Sequence, residues 1–217
     1  MTRCCEAERA AVRITGGEAR GRLVPGVEGL EVRPTASKVR QAFFNILGAK
    51  LKGCRFLDLC AGSGLMGIEA LSRGAAKLVA VDEKRKLVRA IELRLLHLRY
   101  DGSVICGDVG QVLPGLPAQG FDVIFADPPY STGVGKVVLD LVAKHNLLSA
   151  QGVLVIEHRR SLPLPAERGA LARSEVRNYG QTSLSFFKLK QEVEPGAEVD
   201  VEPGVKPEVE PADSVSS

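Results

Sequence analysis

The sequence predicts an α/β fold. A mainly parallel, seven-stranded, Rossmann-like sheet carries helices on both faces, preceded by a β-hairpin and a helix. Three observations predict it. Apolar runs of strand length alternate with amphipathic stretches from residue 55 to residue 157, the order expected of successive βα units. A Gly-x-Gly-x-x-Gly, Gly62 to Gly67, stands between the first strand and the first core helix. An acid, Asp82, follows Gly62 by twenty residues, at the end of the second strand.

The elements follow in order. Ala11–Thr15 and Arg22–Val24 flank Gly16, Gly17 and Gly21, which predicts a hairpin with a loop of several residues. Val32-Arg33-Pro34-Thr35 leads into a helix over Ser37–Ala49: Pro34 ends the extended part, and Thr35 or Ser37 N-caps the helix. Arg55–Leu59 is the first core strand and Leu65–Arg73 the first core helix. Lys77–Val81 and Val104–Cys106 are strands on either side of an amphipathic helix near Lys84–Leu98. Phe121–Ala126 is a buried strand, Val134–Asn146 a helix and Gly152–Glu157 a further strand. Two late strands lie near Ser174–Asn178 and Thr182–Leu189; the second alternates polar and apolar residues, as an antiparallel edge or hairpin strand does.

This order divides the chain into an extension over residues 1–50, a core over 51–190 and a tail over 191–217. In the tail Val-Glu-Pro recurs at 193, 201 and 209, and no aromatic residue is available to bury. Such composition predicts disorder. Eight acids against one base give the tail a charge of −7, so the net +3 of the whole chain conceals a body of about +10. A basic body suits a polyanionic partner. No apolar run reaches membrane-spanning length, and the first ten residues, with Arg3, Glu6, Glu8 and Arg9, lack a signal-peptide core. Five irregularly spaced cysteines make no disulfide framework, so a reducing, cytoplasmic compartment is expected. Cys54, Cys60 and Cys106 are expected to pack as small apolar groups in or beside strands. His97, His145 and His158 show neither metal nor triad spacing, and no metal is expected.

Two clusters carry the chemistry. The first is a ligand site on the glycine loop. Its glycines permit a tight turn and close approach of a ligand to backbone, and Asp82 suits the two hydroxyls of a ribose. Up to this point a dinucleotide fits. Asp58, four residues before Gly62, suits a cationic amino-acid end better than a pyrophosphate. After the third strand, Asp108 and the Val109 N–H suit the amino group and a ring nitrogen of adenine; alternatively, Asp108 simply N-caps a short helix from Val109 to Leu113. S-adenosylmethionine fits all three stations.

The second cluster is Asp127-Pro128-Pro129-Tyr130, at the C-terminal end of a buried strand. The Asp127 carboxylate and the Pro128 carbonyl are two acceptors for the two N–H bonds of a planar exocyclic amine. The prolines lock φ and hold that carbonyl rigidly, and the Tyr130 ring offers a base a stacking face. An acidic turn without function would use the same residue types.

With both clusters present, the chain resembles the S-adenosylmethionine-dependent amino-methyltransferases, and more closely the RsmD-type family of bacterial 16S rRNA guanine-N2 methyltransferases. The likeness runs from about Val12 to Leu189. It is carried by Arg13-Ile14-Thr15-Gly16-Gly17 with Gly21-Arg22, Arg33-Pro34-Thr35 with Val39-Arg40 and Phe44-Asn45, the glycine loop, Gly67-Ile68-Glu69-Ala70 and Asp127–Tyr130. It implies cofactor contacts at Asp58, Ala61, Gly62, Gly64, Asp82 and Asp108, with Ser63 and Val109 beside them, and target-base contacts at Asp127, Pro128 and Tyr130. Asp82-Glu83 departs from the commoner Glu-hydrophobe-Asp pattern, and Asp82 is preferred for the ribose.

Arg13, Arg20, Arg22, Arg33, Lys38 and Arg40 are candidates to grip RNA phosphates. Phe43 and Phe44 are expected in the core, and Asn45 is a candidate to order the pocket or touch cofactor. The implied partner is 16S rRNA or an assembling small ribosomal subunit, approached by a monomer. Asp-Pro-Pro-Tyr alone also permits a DNA adenine or cytosine amino-methyltransferase, and the amide of a protein glutamine is a chemically similar acceptor. From a different class, an RNA-binding assembly factor without activity would keep the same fold.

Overall fold

The computed structural model describes residues 11–26, 34–129 and 133–190. Arg33, Tyr130 and the tail from residue 191 therefore lie outside the described residues. The chain opens with the two-stranded hairpin β1 (Val12–Arg13) and β2 (Leu23–Val24), followed by α1 (Pro34–Leu47) and a 3₁₀ turn, Gly48–Leu51. The core runs β3 (Arg55–Leu59), α2 (Leu65–Ser72), β4 (Lys77–Asp82), α3 (Arg85–Leu98), β5 (Ser103–Cys106), α4 (Val109–Val112) and β6 (Phe121–Ala126). It ends with α5 (Val134–Lys144), β7 (Leu148–Arg159), β8 (Glu167–Arg168), β9 (Leu171–Tyr179) and β10 (Thr182–Leu189).

The main sheet has the order β5-β4-β3-β6-β7-β10-β9-β8. The first five strands are parallel, and the last three join antiparallel. The sheet thus has eight strands rather than seven. The eighth, β8, has two residues and too little pattern to be read from sequence. Strand β10 is antiparallel and in a hairpin with β9, but it is no edge. It lies between β7 and β9, and five consecutive residues, Ser183 to Phe187, are buried. Its serines are accommodated by partners: Ser183 Oγ donates to Asn178, and Ser185 Oγ meets His158 Nε2 at 2.8 Å.

Helix α1 begins at Pro34, three residues earlier than the capping residues suggested. A proline fits the first helical turn because its missing N–H would have no helical partner there. Phe43 and Phe44 are core residues, with Phe43 edge-on to Phe44 and Phe125 at 4.9 Å. Ile14, Ala19, Val24, Val39 and Leu47 join the same core cluster as Phe56, Ile68 and Ala80. The N-terminal segment therefore shares its core with the central sheet.

The hairpin is seated on the C-terminal end of α2. Glu18 N donates to Ser72 O at 2.8 Å, Ala19 N to Ser72 Oγ at 3.0 Å, and that hydroxyl donates to Gly16 O at 2.7 Å. Gly17 has φ +78, and a Cβ there would lie 1.8 Å from Ser72 O, so only glycine permits this approach. Beside it a charged cluster is enclosed. Glu69, 2 % exposed, accepts from Arg40 Nε at 2.9 Å, from Arg73 Nη2 at 2.8 Å and from Thr15 Oγ1.

Candidate active site

The strand order turns back on itself between β3 and β6. In open α/β sheets a ligand crevice forms at such a point, beyond the C-terminal ends of the strands. A cleft of about 300 Å³ lies there. Gly62 and Cys60 supply its wall after β3, Asp82 and Glu83 after β4, Asp108 and Val109 after β5, and Asp127 and Pro129 after β6. The register explains the convergence. Leu59 pairs with Val81 and with Ala126, and Asp82 pairs with Cys106, so the turns that follow all leave the sheet at one level.

The glycine loop is held from beneath by two carboxylates and from the side by an arginine. Asp58, 1 % exposed, accepts from Gly67 N at 2.9 Å. Burial pushes its pKa up to about 8; the Gly67 N–H opposes this, and the neighbouring Asp127 and Asp82 add to it. Asp58 does not line the cleft. In this structure it braces the loop, whereas the sequence pointed to direct contact with a cationic ligand end. Asp82 Oδ2 accepts from Gly62 N at 2.8 Å and Oδ1 from Lys84 N at 2.9 Å. Each carboxylate oxygen has two lone pairs, so capacity for two hydroxyls is left.

Gly64 has φ +71, and a Cβ on it would lie 2.6 Å from Ile91 Cγ1, so the loop needs glycine there for packing as well as for turning. Ala61 and Gly64 are buried behind the loop, and Ser63 is half-buried. Of the expected loop residues Ala61, Gly62, Ser63 and Gly64, only Gly62 lines the cleft. Asp108 caps α4, Oδ1 accepting from Gly110 N at 2.7 Å, and still lines the cleft. Capping and ligand contact thus coexist in one side chain.

Four participants escaped the sequence reading. Cys60 is on the cleft wall with φ +56, where a non-glycine residue is uncommon. Burial, then the charges of Asp82, Asp127, Asp58 and Glu83, push its thiol up to about 12, so it stays protonated and is a poor nucleophile. Arg94 of α3 is 3 % exposed; its guanidinium donates to the carbonyls of Ser63 and Pro25, the Nε–Pro25 O distance being 2.9 Å. It joins the glycine loop to the chain leaving the hairpin. No local signal marked it, because one of several basic residues in an amphipathic helix reads as surface. Lys84 and Leu87 also line the cleft, beyond the Asp82 station.

Arg13, Arg20, Arg22 and Lys38 are exposed. Arg13 Nη1 donates to Gly21 O at 2.7 Å, and Arg22 Nη2 reaches His97 O at 3.5 Å. Arg40 is different: it is 5 % exposed and bound to Glu69, so it does not belong to a phosphate-gripping surface. Burial, rather than the single bond from Nε, withholds this guanidinium from the surface. Asn45 is exposed on α1 and borders a separate hollow with Gly17 and Arg73, away from the cleft. Among the described residues, no group of three or more His, Cys, Asp or Glu side chains is arranged to hold a metal ion, and no helix is long and apolar enough to cross a membrane.

The cleft fits S-adenosylmethionine on its own terms. A glycine turn gives backbone access, a carboxylate with spare lone pairs faces the ribose position, and Asp108 with Val109 closes the far end.

Comparison with known proteins agrees. The family model described as conserved hypothetical protein 95 matches residues 12–188. YlbH of Bacillus subtilis is 36% identical over 181 residues, covering 82% of this chain and 98% of its own. Ribosomal RNA small subunit methyltransferase D of Escherichia coli K12 is 26% identical over 189 residues, covering 86% of this chain and 94% of its own. The solved structure of Escherichia coli yhhF superposes with a TM-score of 0.73 at 28% identity, covering 83% of this chain and 98% of that one. A family match over most of the core, upheld by relatives matched along nearly their whole length, makes this chain a member of the RsmD-type family of methyltransferases.

Proposed function

We propose that the protein transfers a methyl group from S-adenosylmethionine to the exocyclic N2 amine of a guanine in 16S rRNA, free or within an assembling small ribosomal subunit, working as a cytoplasmic monomer. One observation carries the reading. Asp127-Pro128-Pro129 leaves β6 at the switch point, and Asp127 and Pro129 stand on the wall of the cofactor cleft. The acceptor amine and the methyl donor are thereby brought to one place. The ribosomal acceptor is supported by the relative named small subunit methyltransferase D. The choice of guanine follows the family resemblance of the sequence.

S-adenosylmethionine, when bound, supplies a methyl group already activated on a sulfonium. The protein's part is positioning. The guanine N2 lone pair is delocalised into the ring and is a weak nucleophile. Hydrogen bonds from its two N–H groups to the Asp127 carboxylate and the Pro128 carbonyl favour a pyramidal nitrogen aimed at the methyl. As the amine gains positive charge its proton passes to Asp127 or to water. Pro128 is buried, which fixes its carbonyl. A paired base cannot enter, so the nucleotide is unpaired or flipped, and Tyr130 replaces part of the lost stacking. Cys60 takes no part as a nucleophile, since its thiol remains protonated.

Transfer of labelled methyl tests the reading. The acceptors are small subunits from cells lacking the enzyme, naked rRNA, duplex DNA and protein. Label in rRNA that digests to N2-methylguanosine is expected. Label confined to DNA or protein, or recovered as N6-methyladenosine, overturns it. Asp127→Ala should keep cofactor affinity and lose turnover.

A further inference from the structure

A second cleft, about 510 Å³, adjoins the cofactor cleft. Pro129 lines both, and Pro128 lines the second. The start of α5 is divided in the same way: Val134 borders the cofactor cleft, and Gly135 and Lys136 border the other. One proline and one helical turn thus part the two spaces. A Cβ on Gly135 would lie 3.4 Å from Leu164, 3.5 Å from Pro128 and 3.6 Å from Ile156, which sets the second cleft on the face of the sheet that carries Ile156. By strand alternation Asp127 and Glu157 belong to the other face, that of Phe125 and Val155. Asp127 is not among the walls of the second cleft, and Glu157, at its floor, is turned to that other face.

The space presents an apolar wall and a cation. Pro128, Pro129 and Leu162 supply the wall. Leu162 is 52% exposed in the turn after β7, a turn held by its own N–H donating to Arg159 O at 2.9 Å. A single exposed leucine is ordinary on a protein surface; this one stands across a cleft from the amine-binding motif. His158 is engaged internally, Nε2 meeting Ser185 Oγ at 2.8 Å and Nδ1 meeting Arg159 O at 2.9 Å. Lys136 is exposed, and among the described residues its ammonium is spent on no ion pair. It is a cation open to a ligand in this cleft.

A base delivered to Asp127 arrives with its backbone attached. Where Pro129 alone divides the clefts, the partition is a single residue, about 3.8 Å of chain. A neighbouring nucleotide of the same strand is therefore within reach of the second cleft. We propose that this cleft binds the nucleotide adjoining the target in single-stranded RNA, its base lying on Pro129 and Leu162 and its phosphate on Lys136. The inference rests on the rRNA-methylation reading above and gives that reading a strand path past the start of α5. The volume falls within the roughly 300–1,000 Å³ of small-ligand sites. A cation for the backbone beside a surface for the base is how single strands are held, and it tolerates any base, because every base has a π-face. The site fixes the strand and leaves the choice of target to the cofactor side of the partition.

The test uses the full chain, with small subunits from cells lacking the enzyme as acceptor. Wild type is compared with Lys136→Gln, Lys136→Arg and Leu162→Ser. Lys144→Gln is the control, since Lys144 is exposed at the far end of the same helix. Lys136→Gln should raise KM roughly tenfold, as for one lost charge-assisted bond, with kcat, S-adenosylhomocysteine affinity and melting temperature unchanged. Its plot of log kcat/KM against log salt should be shallower by about 0.7, the share of one phosphate contact on a single strand. Lys136→Arg should restore both. Leu162→Ser should raise KM roughly tenfold while keeping the wild-type salt slope. A merely structural lysine would move melting or cofactor affinity and leave the salt slope alone. Wild-type KM and slope in Lys136→Gln, or losses no larger than those of Lys144→Gln, overturn the inference, as does a Leu162→Ser protein with wild-type KM. Failure of wild type to label rRNA at all sinks the broader reading instead, so the two failures are distinct.

Discussion

Replacing Glu69 by alanine removes the one anion from an enclosed cluster of two guanidiniums and a hydroxyl. Arg40 is 5 % exposed, so its charge is left in the core without a partner once Glu69 is gone. Breaking a buried pair in this way costs about 3–5 kcal/mol, because the surviving charge stays desolvated. Arg73 adds little, since its side chain is 18% exposed and keeps its place over the Phe44 ring at 4.9 Å. Against a total stability of roughly 5–15 kcal/mol, the loss takes about a fifth or more. Urea denaturation of the full chain reads it as a lower midpoint at unchanged slope. Glu69→Gln keeps the volume and an acceptor and should lose less. The double change Arg40→Met with Glu69→Met removes both charges and should recover most of the loss. Hydrogen exchange adds a positional readout: the amides of Ile14, Gly21 and Arg22, bonded within the hairpin, should lose protection before those of β3. A Glu69→Ala protein within about 1 kcal/mol of wild type, or a double variant no better than the single one, would refute the reasoning.

Three further outcomes follow from the site. Asp58 is pushed up to about 8 from 3.8 by burial, so between those values the folded state holds a proton that the unfolded state releases, and rising pH lowers stability across that window. Asp58→Asn keeps an acceptor for Gly67 N and should gain on wild type as pH rises from 5 to 9; a pH-independent difference between their melting curves would contradict this. Peptide-resolved alkylation at pH 8 should modify exposed Cys106 well ahead of Cys60, whose thiol sits at about 12; comparable rates would show that Cys60 has a thiolate. Arg94→Met should weaken S-adenosylhomocysteine binding about tenfold, as expected for losing charge-assisted bonds to a ligand loop, and Arg94→Lys should not restore it, because a point charge cannot span the Ser63 and Pro25 carbonyls. Titration calorimetry measures both, and unchanged affinity in Arg94→Met removes the arginine from the loop's support.

The parts of the site that could be read in the sequence are those whose cause is local. The glycine loop, Asp82, Asp108 and Asp127-Pro128-Pro129 each follow an apolar strand, and a parallel sheet necessarily brings its strand ends to one edge. Arg40 was misread as surface and Arg94 went unmarked because their partners lie far along the chain: Glu69 is 29 residues from Arg40, and Pro25 is 69 from Arg94. No window of ten or twenty residues contains such a pair. Cys60 was taken for strand packing because nothing in its neighbours announces a left-handed backbone.

Glu69, however, did leave a trace. It is the only charge in the α2 segment Leu65–Ser72, and Leu65 and Gly67 to Ser72 are all buried. A helix apolar all round is enclosed on every side, and an acid inside such a helix must be paired. The partner then has to be a base brought in by another segment. The hairpin, with Gly16-Gly17 at its turn, and α1, with Arg40, are the segments seated on this helix. Arg40 carries the charge inward, and Gly17, through φ +78 and the missing Cβ, lets the hairpin backbone lie against Ser72. The Gly-Gly hairpin, and helix α1 through Arg40, are thus fastened to the helix that begins at the cofactor loop. An N-terminal arm that grips RNA through Arg13, Arg20, Arg22 and Lys38 would pull on that helix, and through Arg94 on Ser63, which is a physical route from acceptor binding to the geometry of the methyl-donor site.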